Sequence, residues 1–211
     1  AKNPHVWMSP LIAKEMVERI YTEVITIDAQ NANNYQINKN SYITELDALH
    51  QRILANRSIF QSRKVVVHHP SFKYLFDLLG IDRIAAIEEH EGGEPSAEHI
   101  AEIVDTMKEQ DVKLIINQPQ LSADQVNQIA RDTGAKIADL TPLLGVEDQN
   151  GDPILDYISM IEYNLWALVH PHNPPLESSS PIIWFGLGIT VISIAVAIIT
   201  IILRMRPRSI E

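Results

Sequence analysis

The 211-residue chain contains no cysteine. Within these residues that excludes disulfides, thiolate metal sites and thiol catalysis, and leaves no thiol to carry a lipid. Also absent are a glycine-rich phosphate loop, a His-Glu-x-x-His pair and a Gly-x-Ser-x-Gly elbow, so the common phosphoryl-transfer, zinc-protease and serine-hydrolase chemistries lose their support. Positive charge is in deficit: 17 Lys and Arg stand against 27 Asp and Glu, for a net charge of −10. Nucleic acid is therefore not an expected partner. An acidic surface suits both cation attraction and simple solubility. With 45% hydrophobic residues the chain can bury one substantial core and is not disordered as a whole.

One stretch lacks charge altogether. Residues 182–203 form a 22-residue apolar run, and at about 1.5 Å per residue a helix of that length crosses a hydrocarbon core of roughly 30 Å. Arg204, Arg206 and Arg208 follow it directly. The positive-inside bias puts the C-terminus in the cytoplasm and everything before residue 181 outside, as a single-pass protein of the cell membrane. The start at Ala1, without a methionine or a lead-in before a candidate ligand loop, suggests a fragment.

Periodicity organises the rest. Apolar positions Leu11, Ile12, Met16, Ile20, Val24 and Ile27 predict a helix capped by Ser9, with Pro10 at its first position. A second helix carries Tyr35, Tyr42, Leu46, Leu49 and Ile53. Beyond Asn56 short apolar runs alternate with amphipathic helices, which predicts βα units on a parallel sheet. Strands are expected over 64–67, 83–87, 113–116 and 137–140. Ser122 and Gln125 suggest a capping box for one helix, and a last helix is expected over 154–168. The resulting α/β layout has a metal-loop and helix (1–30), a bridging helix (31–57), a βα lobe with a four-stranded parallel sheet (58–169), a linker (170–181), the transmembrane helix (182–203) and a cytoplasmic tail (204–211).

Two short segments carry the candidate chemistry. Asn3-Pro4-His5-Val6-Trp7 and His69-Pro70-Ser71-Phe72-Lys73-Tyr74 each place an imidazole beside a proline and near an aromatic anchor, which fixes a loop histidine. In βα architectures ligands gather beyond the carboxyl ends of strands, where His69 falls. A neutral imidazole there binds a divalent cation through one ring nitrogen while an acceptor holds the other; as an alternative, His69 caps the helix opening at Pro70. Trp7 is expected to wedge beneath His5. Strand alternation turns His68 the opposite way. His90 lies in the acidic loop from Glu88 to Glu94, read as solvated, and His50, His99, His170 and His172 are read as surface residues.

These segments resemble those of the metal-binding receptors of bacterial and archaeal ABC importers for zinc and manganese, the class with a rigid helical backbone between two lobes. The first is similar to that family's Asp/Asn-Pro-His-x-Trp ligand loop and the second to its His-x-Ala-Phe-x-Tyr loop. Glu94-Pro95-Ser96, Asn117-Gln118-Pro119-Gln120 and the stretch from Tyr157 to Leu165 resemble further family segments, in the expected order. The resemblance implies a divalent cation, zinc or manganese, held between two lobes and passed to an ABC permease. His5 and His69 would be two of its ligands and a first ligand would lie in an N-terminal lobe. The loop at His5 is then expected to be poorly ordered by itself. At the family's acidic fourth position this chain has Thr141; Asp139, Asp148 or water are the substitutes. A nitrogen-rich site suits zinc better than manganese. The Thr141 replacement motivates one rival, an extracellular adhesion or interaction module that kept the fold without binding metal. A metal-dependent hydrolase, with Glu88, Glu89 or Asp139 as its base, is a further alternative.

Overall fold

The computed structural model describes residues 3–88 and 93–176. Helix α1 (Pro10–Ile27) starts where its sequence says it should, with Pro10 at the first helical position. The Ser9 carbonyl accepts the Ala13 N–H at 2.9 Å, while the Ser9 side chain makes no cap bond. A 3₁₀ turn (Ala29–Asn31) leads into α2 (Ala32–Phe60). At 29 residues this bridging helix is roughly 40 Å long. It runs three residues past its expected end because Phe60 is fully buried in the core. Its buried positions, Leu46, Leu49, Ile53 and Phe60, all lie in its second half. There it meets α3 (Lys73–Leu79) and α6 (Tyr157–Val169), whereas its other large neighbour is α1.

Strands β1 (Lys64–Val67), β2 (Asp82–Ala86), β3 (Leu114–Asn117) and β4 (Lys136–Asp139) form one parallel sheet in the order β2-β1-β3-β4. Alternation along each strand splits the core in two. Val65, Val67, Leu114, Ile116 and Ala138 pack with Met8, Phe60, Phe72, Leu75 and Leu168 on one face. Val66, Ile115 and Ile137 pack with Ile103, Met107, Val126 and Ile129 of α4 (Ala97–Glu109) and α5 (Asp124–Thr133) on the other. Because β2 and β3 flank β1, the chain leaves β1 to one side and returns on the other. The crevice at the carboxyl ends of β1 and β3 is thus the place where such sheets hold ligands.

Helix α3 ends at Gly80, whose φ of 72° is left-handed. An added Cβ would meet Arg57 Nη2 and Gln61 Cα, each at 3.4 Å. Gly80→Ala should therefore cost about 1–2 kcal/mol, read as a lower denaturant midpoint with an unchanged slope.

Several expectations shift. Helix α5 begins at Asp124 with Ala123 as N-cap; Ser122 instead donates to the Asp124 carboxylate at 2.9 Å, so the capping box is not formed. Helix α6 starts at Tyr157, where Asp156 caps it by accepting the Ser159 N–H at 2.8 Å. His99 is half-buried and its Nε2 lies 2.9 Å from the Ala86 carbonyl, tying α4 to the end of β2. The stretch after α6, expected to be linker, still belongs to the sheet at His172: it pairs antiparallel with Ile137 through two 2.8 Å backbone bonds. The apolar run 182–203, the tail after it and His90 lie outside the described residues. Among the described residues no helix is long and apolar enough to cross a membrane.

Candidate metal centre

Parallel registry places His69. Val67 of β1 pairs with Ala86 of β2, and the ladder continues past both strands, with Ile87 N–H on the Val67 carbonyl at 2.8 Å and Glu88 N–H on the His68 carbonyl at 2.9 Å. His68 is 3% exposed beneath the site, its Nδ1 3.3 Å from Asn117 Oδ1. Burial lowers its pKa, which favours the neutral ring. His69 comes next, at the rim. It does not cap α3: the N-cap is Phe72, and the His69 carbonyl instead accepts the Ser71 N–H at 2.8 Å. The His69 Nδ1 lies 2.9 Å from Glu88 Oε2.

The His5 segment is held to the same rim, contrary to the expectation of poor order. Asn3 does this in two directions. Its Nδ2 donates to the Pro70 carbonyl at 2.6 Å, and its Oδ1 accepts the His5 N–H at 3.0 Å and faces His5 Nδ1 at 3.1 Å. Its amide supplies the donor and the acceptor from two separate atoms. Tyr74 OH donates to the Asn3 carbonyl at 3.0 Å. Trp7 packs against His5, ring centroids 5.3 Å apart, while its indole N–H donates to the Pro142 carbonyl at 2.9 Å. Tyr157 OH closes the set by donating to the Trp7 carbonyl at 2.7 Å. These bonds bring the His5 and His69 rings together edge to face, with centroids 5.4 Å apart.

Tyr157 adds a pH signature. Burial raises its phenol pKa well above the ordinary value. The folded chain keeps the phenol neutral where the unfolded chain ionises it, so this stabilisation is complete below about pH 10 and is lost as pH rises beyond it. Tyr157→Phe should lose about 1 kcal/mol at neutral pH yet show a shallower alkaline fall in melting temperature.

In the tautomer that gives Nδ1–H to the facing oxygen, each imidazole has its lone pair on Nε2, the nitrogen that suits a cation. His5 Nε2 faces Ser71 Oγ at 3.4 Å, and Ser71 donates to Gln118 Oε1 at 2.9 Å, joining the loops that follow β1 and β3. The other nominated ligands are each engaged in hydrogen bonds. Thr141 is fully buried; its Oγ1 donates to the Leu143 carbonyl at 2.6 Å and accepts from Gln120 Nε2 at 2.7 Å and from the Leu143 N–H at 3.1 Å. Asp139 receives Asn117 Nδ2 at 2.7 Å and faces His172 Nε2 at 2.9 Å. Asp148 accepts the N–H groups of Asn150 and Asp152 in its own turn, which lowers its pKa. Among the described residues no three His, Asp or Glu side chains converge as a metal-holding group.

Glu88 is the residue that reading the acidic loop as solvated passes over. The signal was available in the strand ends: His69 lies two residues beyond Val67 and Glu88 two beyond its partner Ala86. Asn3, Ser71 and Gln118 carry no such signal for the bonds that join the loops, Asn3 to Pro70, Ser71 to His5 and Ser71 to Gln118, which are distant in sequence.

The chain is similar to known proteins over most of its length. Residues 1–170 match the family described as zinc-uptake complex component A, periplasmic. The high-affinity zinc uptake system protein ZnuA of Bacillus subtilis is 29% identical over 168 residues, covering 80% of this chain and 53% of that protein. The chain thus spans about half the length of this relative. The solved structure of FpvC from Pseudomonas aeruginosa in complex with Mn2+ superposes with a TM-score of 0.65 at 26% identity, covering 79% of this chain and 62% of that one. The laminin-binding protein Lmb of Streptococcus agalactiae, described as a bifunctional protein with adhesin and metal-transporting activity, does so at 0.64 and 25%, covering 79% and 63%. With its match extending from the His5 loop through α6, the chain belongs to the ZnuA family of zinc- and manganese-binding receptors of ABC importers.

Proposed function

We propose that this chain captures a divalent transition metal outside the cytoplasm, with His5 and His69 as ligands, and delivers it to an ABC permease. The observation that carries the reading is the pair of rings 5.4 Å apart, each with Nδ1 against an oxygen acceptor. Two neutral imidazoles favour zinc over manganese, which prefers oxygen donors. The shell is completed by water or by groups beyond the described residues. The relatives support the class of cargo: one is named for zinc uptake and another was solved with Mn2+.

Anchoring rests on residues 182–203, uncharged throughout and followed by three arginines. We read that run as a single transmembrane helix with the metal-binding part outside. The rigid α2 favours small displacements of the site over a wide hinge closure, so release to the permease requires a ligand to be displaced. Uptake of radioactive zinc by chelator-starved cells tests delivery: cells with the intact protein should accumulate zinc, and cells with His5→Ala/His69→Ala should not. Equal uptake by both would refute it.

The adhesion reading keeps one specific support, the Streptococcus agalactiae relative credited with both activities. Its original motive is weaker, because Thr141 organises a buried turn and its presence has a structural reason.

A further inference from the structure

We propose that Glu88 is a positioning residue for metal capture: its carboxylate fixes the tautomer and direction of the His69 ring. The inference rests on the metal-site reading and adds a residue to it. The Glu88 backbone is tied beside His69, its own N–H bonded to the His68 carbonyl at 2.9 Å in continuation of the β1–β2 ladder. Its Oε2 sits 2.9 Å from His69 Nδ1, and the two side chains are only 14% and 15% exposed. Donation of Nδ1–H to this carboxylate leaves the His69 lone pair on Nε2. A hydrogen-bonded anion also makes the imidazole a stronger donor to a cation.

The two histidines are held differently. His5 is oriented by the neutral amide of Asn3, His69 by a carboxylate. Two neutral imidazoles bring no charge to a doubly charged cation, and Glu88 supplies a negative group directly behind one of them. Its effect should therefore divide into an orienting part, which any acceptor supplies, and a charge part, which only a carboxylate supplies.

Glu88→Ala and Glu88→Gln in the intact protein separate the two parts. Zinc affinity would be measured by competition with a chromophoric chelator. The His69 tautomer would be read from long-range 15N–1H correlations in the metal-free protein. Glu88→Ala should weaken zinc binding by about 10–100-fold and release His69 into a mixture of tautomers. Glu88→Gln, which still offers an oxygen to Nδ1–H, should keep the tautomer and lose less affinity. Unchanged affinity in Glu88→Ala, or a His69 tautomer indifferent to it, overturns the proposal. If the wild-type protein took up no zinc, the metal-site reading would fall, while the tautomer measurement would still decide whether Glu88 fixes the ring.

Discussion

Replacing His5 and His69 together by alanine should abolish high-affinity metal binding and leave the fold intact. The loss should exceed the roughly 10–100-fold that removal of an outer-shell partner costs, since here the donor nitrogens themselves go. Neither ring belongs to the two apolar clusters that hold the sheet between its helices. What the variant gives up structurally lies at a half-buried rim and includes the contacts of His5 with Asn3, Trp7 and Ser71 and of His69 with Glu88. Chelator competition reads the affinity, and far-ultraviolet dichroism with a thermal melt reads the fold. Retained tight binding in a folded double variant would remove both residues from the ligand set.

The largest stability effect is expected at Asn164. This side chain is fully buried on α6 and acts as a short piece of strand: its Oδ1 accepts the Thr141 N–H and its Nδ2 donates to the Thr141 carbonyl, both at 2.8 Å. Asn164→Ala strands a buried donor and a buried acceptor at once. At about 1–3 kcal/mol for each unsatisfied group the cost is about 2–6 kcal/mol, a large share of a typical domain's stability. The turn thus supported presents the Pro142 carbonyl to the Trp7 indole, so the variant should also weaken metal binding through the His5 segment. Urea unfolding monitored by dichroism measures the first effect. A change below about 0.5 kcal/mol, the range of ordinary surface substitutions, would show that Thr141 finds other partners.

Much of the fold could be read from the chain. The four strands fall within a residue of their expected positions because short buried β-branched runs such as Lys64-Val65-Val66-Val67 have few alternatives once helices flank them. Helix ends were less legible. The N-cap position of α5 falls on Ala123, which has no side chain to cap with, rather than on Ser122, and α6 is capped by Asp156, since the position of a cap depends on backbone angles that composition does not specify. At the candidate site the motifs singled out His5 and His69, yet what aims them was hidden. Asn3, Ser71 and Gln118 act between loops whose proximity exists only in the folded chain. Thr141 illustrates the same gap from the other side. Beside a family pattern it reads as a missing ligand, whereas in the fold its hydroxyl is already committed to the turn at Leu143.

The central claim is that His5 and His69 hold the metal, and X-ray absorption at the zinc edge of the zinc-loaded intact protein tests it most directly. Imidazole scattering is expected from at least these rings at the usual zinc–nitrogen distance of about 2.0–2.1 Å, diminished in each single variant and further in the double one. A loaded protein whose imidazole scattering is the same with and without His5 and His69 would contradict it.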